Sequence, residues 1–369
     1  MQLITKPLRK NNFDLLRLLL ALVVIFSHSY AIVFGKVKDI EPYMRINNNT
    51  SDLGSFAVNW FFVISGFLIT ASFYNSSSTK EFLIKRVYRI VPAFVVAFVL
   101  SIILFGALGT IAGAHPFENI KDYFSVIGLK RNVVKLLTLQ EPKGNAYLGT
   151  PLPKLLNSPL WTIQFEFICY LFVPVMGLLN VHRIKWMAVL LFAIAYTMML
   201  SQNFGSFFPE DPNYSSRLLY NPYYLPRFFT YFLSGACFYI YRDRIPRSRL
   251  MALLALILAV IASVHGKLIH VVMPVGGAYI LFYFAFHPTI VYPKFASKGD
   301  FSYGTYLFAW PIQQLLIYFF PGRFNPFTLF VFAAVITLFF AFMSWHLVEK
   351  RFLQFKKNYI QPALAARAC

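Results

Sequence analysis

With 369 residues, 58% of them hydrophobic and only 13% charged, and a mean hydropathy of +0.59, the chain is too apolar for an ordinary soluble domain. A formal charge of +20 would suit a nucleic-acid binder, but the basic residues fall in short gaps between apolar runs rather than on a polar module, so membrane topology explains them better. Cys169 and Cys237 lie inside apolar runs and Cys369 at the terminus, so neither a disulfide framework nor a cysteine metal cage is supported.

Windows of about 20 apolar residues place helices near 13–34, 54–74, 90–112, 159–179, 184–201, 225–241, 250–265, 268–287, 303–320 and 326–347. The expected fold is therefore all-α, a polytopic membrane protein of about ten transmembrane helices. The first run follows a basic start, yet it is too long for a signal-peptide core and no small-x-small cleavage site follows, so it reads as a retained helix. If the N-terminus is cytoplasmic, the inner segments collect most of the basic residues, among them Lys85, Arg86, Arg89, Arg242, Arg244, Arg247, Lys350 and Arg351. The short outer loops keep few, so both termini are expected in the cytoplasm. Residues 1–349 read as a single membrane domain and 350–369 as a basic cytoplasmic tail.

The first span carries Arg17 near its start and His28 near its end. Eleven residues make roughly three helical turns, which leaves both groups on one face about 16 Å apart. Ionisable residues inside a membrane are costly unless they face a partner or a watery cavity, so each marks a candidate site. The second span, Asn59 to Leu68, contains Ser65 and Gly66, which permit close helix approach; Ser65 has no adjacent base that would make it a nucleophile. Before the third span, Lys85, Arg86 and Arg89 recur at helical spacing on the same side as Arg17. Such a cluster suits phosphates through charge-assisted hydrogen bonds, and serves equally as positive-inside anchoring. Arg17 favours the first reading, with an anionic ligand reaching up from the cytoplasm.

The long outer segment 113–158 has a helical apolar pattern between Ile120 and Leu139 that fits the membrane surface, and a turn-rich part from Pro142 to Pro159; a lid and a plain connector both fit. In the fourth span Glu166 lies one turn from Tyr170 on the same face. If this helix starts at the outer surface, Glu166 lies about 10 Å deep and His28 about 9 Å deep, so the two are expected to pair. A carboxylate beside an imidazole prepares it to accept a proton from a hydroxyl; a buried polar pair that merely joins two helices is the plainer alternative. At the ninth span Asp300 or Ser302 is expected to cap the helix. Glu349 reads as part of a charge-paired, snorkelling helix end. His115, His182, His265, His270 and His287 have no metal-ligand spacing, and no metal is expected.

Taken in order, Arg17-x10-His28, Trp60-Phe-Phe-Val-Ile-Ser-Gly-Phe-Leu68, Lys85-Arg86-Val-Tyr-Arg89-Ile-Val-Pro92, Leu160-Trp-Thr-Ile-Gln-Phe-Glu166-Phe-Ile-Cys-Tyr170, Asp300-Phe-Ser-Tyr303 and Trp345-His-Leu-Val-Glu349 resemble the acyltransferase family 3 of integral membrane transferases across nearly the whole chain. The resemblance implies transfer of an acyl group, usually acetyl from acetyl-CoA, to a hydroxyl of a cell-surface or lipid-linked glycan, in the cytoplasmic (inner) membrane. On that basis His28 and Glu166 are the expected catalytic residues. Arg17, Lys85, Arg86 and Arg89 are the expected acyl-CoA contacts, and Trp161 and Tyr170 the acceptor contacts. The expected partners are acyl-CoA, a glycan or lipid-linked saccharide, and membrane lipids, with no nucleic acid. One departure is Trp310-Pro311, where some relatives carry a histidine before the proline. The competing classes are a proton-coupled transporter or flippase of glycan precursors, against which no inverted repeat or paired broken helices are seen, and a non-catalytic partner in glycan assembly.

Overall fold

The computed structural model describes residues 11–111, 120–181, 184–205, 216, 218–287, 289, 292 and 299–355. Every regular element among them is helical. Each expected span falls on a helix: α1 Phe13–Phe34, α2 Leu53–Tyr74, α3 Thr79–Leu100, α4 Trp161–Leu178, α5 Trp186–Phe204, α6 Leu225–Ile240, α7 Arg249–Val264, α8 Gly266–Ala285, α9 Ser302–Phe319 and α10 Pro326–Ser344. Seven of these regions are long and apolar enough to cross a membrane: α1, α2, α3 with its continuation to Gly106, α4 with the turn before it, α5, α8, and α10 with its continuation to Phe355. Helices α6 and α7 are shorter, at 16 residues each. Helix α9 has 18 residues but carries Thr305, Gln313 and Gln314, all fully buried, because its neighbours are protein rather than lipid. Residues 356–369 of the expected tail, His115 and His182 lie outside the described residues.

The third span begins eleven residues earlier than its apolar window. Ser78 caps it by accepting from the Glu81 amide at 3.2 Å, and the Glu81–Lys85 ion pair at 2.5 Å spans its first turn. The basic stretch is therefore helix, with its side chains on a continuous rod. Past Leu100 the rod widens into a π-turn, Ser101–Gly106.

Helix α2 is the hub, packed against α1 on one side and α6 on the other. The α2–α6 crossing is backbone on backbone. A Cβ at Gly66 would lie 1.8 Å from the Phe232 carbonyl oxygen, and one at Gly235 would lie 2.0 Å from that of Val63, so glycine is required on both helices. Helix α1 also packs on α9 and α10, while α7 turns Leu253, Leu254, Ile257, Leu258 and Ile261 outward to face lipid.

The part of the long outer segment from residue 139 to 160 is packed into the bundle. Leu139, Gln140, Ala146, Tyr147, Leu156 and Asn157 are buried, and the strand-free backbone is tied into the bundle. The Asn157 amide donates to Ser101 Oγ and the Leu307 carbonyl, both at 2.9 Å; the Gln314 amide donates to the Leu152 carbonyl at 2.7 Å. Irregular backbone at this depth is tolerated because protein donors satisfy it. Before it, the short helices Ile120–Val126 and Leu129–Leu137 expose Leu129, Val133 and Leu137 along one face, as an interfacial helix would.

Replacing Gly235 by valine should lower the thermal midpoint of the detergent-solubilised protein by about 5 °C or more, whereas Gly276→Ala, at a looser position, should change it little; equal midpoints for both would show that the α2–α6 approach is not tight.

Candidate active site

Helices α1, α3, α9 and α10 meet in a chain of charges. Arg17 Nη1 donates to Asp300 Oδ2 at 2.7 Å, Arg89 Nη2 donates to the same oxygen, and Arg89 Nη1 donates to Glu349 Oε2 at 3.0 Å. Asp300 Oδ1 caps α9 by accepting from the Ser302 amide at 3.1 Å and its hydroxyl at 2.5 Å. Burial alone would raise the Asp300 carboxyl, but Arg17 and Arg89 hold it well below the usual carboxylate range. Asp300 is thus more than a cap, and Glu349, 2% exposed, is an internal partner rather than a snorkelling end.

Of the four expected cations, Arg17 and Arg89 are neutralised by this network, and Lys85 pairs with Glu81 and donates to Ser76 Oγ at 3.0 Å. Arg86 differs. It donates to Ser72 Oγ at 3.1 Å and lies over the Phe82 and Tyr170 rings, but among the described residues it has no carboxylate within ion-pair distance, and its buried Nε has no partner there. A cavity of about 120 Å³ opens beside it, lined by Arg17, Arg86 and Arg89 together with Ser65, Glu166, Tyr170 and Tyr303. Glu166 accepts from the Tyr170 hydroxyl and, at 3.5 Å, from Ser65 Oγ. Trp161 does not line this cavity; it stacks on Tyr220 with centroids 5.0 Å apart and packs against Phe228. A larger apolar cleft among α4, α5 and α6, about 520 Å³, has no histidine, carboxylate or cation among its described lining residues.

His28 lies elsewhere. Its ring meets Trp310 of α9 edge to face, with centroids 4.9 Å apart and planes at 84°, and its buried Nδ1 has no hydrogen-bond partner. The acids at this level are Glu41 and Asp52. Glu41, fully buried, accepts from Ser27 Oγ at 2.5 Å and from the Leu53 amide at 3.1 Å; burial pushes its carboxyl up against the pull of those donors. Asp52 caps α2 by accepting from the Ser55 amide.

No hydrogen bond joins His28 to Glu166, and the reason is depth. The expected pairing took α4 to begin at the outer surface, but Asn157, just before it, bonds the Leu307 carbonyl, only five residues into α9 and therefore about 7.5 Å above the Asp300 end. Helix α4 descends from there, which carries Glu166 down to the arginine level. Trp310, three residues beyond Leu307, marks the His28 level.

Sequence reasoning missed Asp300 as an ion-pair partner, Arg89 as the partner of the charge-paired Glu349, and Trp310 as the neighbour of His28. A signal existed for the acids: two arginines at membrane depth require carboxylates, and the motif segments at the starts and ends of spans hold few. Trp310 left no signal beyond its departure from the family pattern. Among the described residues no group of three metal-binding side chains occurs.

The chain has known relatives. The acyltransferase-domain family matches residues 10–346, and the chain belongs to that family. It is an integral membrane acyltransferase. It is similar to an O-acetyl transferase of Shigella phage Sf6, with 31% identity over 94% of this chain and 96% of the relative. It is also similar to Nodulation protein 10 of Rhizobium leguminosarum bv. viciae, with 27% identity over 96% of each. No solved structure matches it.

Replacing Asp300 by asparagine removes the carboxylate shared by two partly buried guanidinium groups, so stability should fall by about 2–4 kcal/mol, measured as a lower thermal midpoint in detergent. A midpoint equal to wild type would show that the four helices are held by packing alone.

Proposed function

We propose that the protein is an O-acetyltransferase of the cytoplasmic membrane that moves acetyl from cytoplasmic acetyl-CoA to a hydroxyl of a cell-surface or lipid-linked glycan. In this reading the chain crosses the membrane ten times with both termini in the cytoplasm. The ion network supports an even count, since it brings the start of α1, the start of α9 and the end of α10 to one level.

The observation that carries the proposal is Arg86, a half-buried guanidinium with a buried, unpartnered Nε and no carboxylate partner among the described residues, facing a cavity on the same side as the basic gaps. Such a group is stabilised by an arriving anion. The phosphates of CoA dock at Arg86, with Lys85 near the mouth, while Arg17 and Arg89 shape the wall. The slender acyl-bearing arm then runs along α1 from Arg17 towards His28. There His28 takes the proton from the acceptor hydroxyl as its oxygen attacks the thioester carbonyl; the carbon–sulfur bond breaks, and the departing thiolate recovers the proton as free CoA. Transfer through an acyl-histidine uses the same placement and fits equally well. Glu166, hydrogen-bonded to Tyr170 and close to Ser65, belongs to the donor cavity in this scheme, and Tyr170 contacts the donor rather than the acceptor.

The test uses purified protein in detergent with acetyl-CoA carrying a labelled acetyl group. Wild type should release or transfer the label, His28→Ala should lose about 100-fold or more in kcat, and Arg86→Ala should raise the KM for acetyl-CoA about tenfold with a smaller effect on kcat. A wild-type protein that leaves acetyl-CoA intact would instead mark a carrier, and a fully active His28→Ala would remove the histidine from the chemistry.

A further inference from the structure

A histidine that accepts a proton must hold one ring nitrogen towards the substrate, and the usual device is a hydrogen bond from the other nitrogen to a carboxylate or carbonyl. His28 lacks that device: its Nδ1 is buried without a partner. Glu41 is engaged by Ser27 and the Leu53 amide, and Asp52 is engaged by the Ser55 amide at 2.5 Å and the Ser55 hydroxyl at 3.1 Å. Glu166 stands at the other level. Something else must fix the ring.

Helix α9 supplies it. Trp310 meets the imidazole edge to face, and the indole is itself pinned because its Nε1 donates to the Leu155 carbonyl at 2.9 Å. One turn further, Gln313 donates to the Ile25 carbonyl at 2.9 Å and to Ser29 Oγ at 2.8 Å, so the α1 turn that carries His28 is gripped on both sides of it. Both α9 side chains are buried, Trp310 at 4% exposure and Gln313 at 0%. Backbone and ring are thus held by the same face of one helix.

We propose that Trp310 is the positioning residue of His28: its indole, locked by the Leu155 carbonyl, fixes the imidazole plane that the missing hydrogen bond leaves free. The indole has one N–H, already used, and no basic nitrogen, so it acts through His28 and not on substrate. This rests on His28 as the group that handles the proton.

The experiment measures acetyl-CoA hydrolysis by purified full-length protein, with water as acceptor, together with KM and thermal midpoint. Trp310→Phe, which keeps an aromatic ring at the position, should remain within about threefold of wild type in kcat. Trp310→Leu should lose about tenfold or more in kcat with an unchanged KM for acetyl-CoA, as expected for a misaligned rather than a missing group. Should Trp310→Leu not fold, Trp310→Met, which keeps bulk without a ring, carries the same expectation. In the His28→Ala background, Trp310→Leu should cost nothing further. The proposal is overturned by a wild-type kcat in the ring-less variants, by equal losses for Trp310→Phe and Trp310→Leu, or by additive losses in the double variant. An active His28→Ala protein would overturn the reading of His28 itself, and this inference with it, whereas an inactive His28→Ala beside a fully active Trp310→Leu would overturn the inference alone.

Discussion

Everything in this structure depends on how two arginines are kept at membrane depth. A guanidinium in hydrocarbon is costly unless paired, and pairing succeeds only if the carboxylates are themselves satisfied. Asp300 and Glu349 meet that demand for Arg17 and Arg89 with one bridging oxygen and one further ion pair, and Ser302 and Ser344 occupy the remaining carboxylate oxygens. Two positive charges meet two negative ones, so the network is neutral. It also fixes the start of α1 against three other helices. The height of His28 follows, because a helix is a rigid ruler of about 1.5 Å per residue.

Neutrality in the network makes Arg86 conspicuous. It sits one residue from Lys85 and three from Arg89, yet the neighbouring carboxylates are committed elsewhere: Glu81 to Lys85, Asp300 and Glu349 to Arg89. Glu166 lines the same cavity but accepts from Tyr170 and Ser65 rather than from Arg86. The row Lys85, Arg86, Arg89 is thus two structural charges and one available one, and Arg17 is a further structural charge. Charge counting along the chain cannot make that division, because Arg17 and Arg89 are paired by acids more than 200 residues away.

The helices were legible because lipid imposes length and apolarity on any segment that crosses it. The pairing of close helix approach with Gly66 was legible for the same reason, since only a missing side chain allows backbone contact. The α9 helix was legible as a span but not as the buried core it is: Thr305, Gln313 and Gln314 look like polar interruptions until their protein partners are known. Depth was the least legible quantity. The heights of Arg17 and His28 on α1 could be read because both share one rod, whereas the height of Glu166 depended on where α4 begins. That is set by an irregular segment sunk into the bundle through Asn157, Leu155 and Leu152, whose hydrogen bonds carry no periodic signal.

The separation of the two levels bears on how acyl transfer across a bilayer can be arranged at all. The anionic part of a CoA donor is strongly hydrated, and at the height of His28 it would meet Glu41 beside Ser27 and Asp52 at the start of α2, with Arg227 as the nearby cation, bonded to Asn59 and the Ser55 carbonyl. The cavity beside Arg86 is also small, about 120 Å³, suited to a slender arm rather than a nucleotide. In the proposed scheme the nucleotide stays low, where Arg86 meets it, and only the thioester climbs. Carboxylates near the acceptor then oppose no step: they leave a neutral hydroxyl free to approach. In that scheme the same sign pattern makes a pairing of His28 with Glu166 unnecessary. A carboxylate at the donor level can share the cavity with the arginines, and the histidine can be held by an aromatic edge that adds no charge where charge would be hardest to solvate.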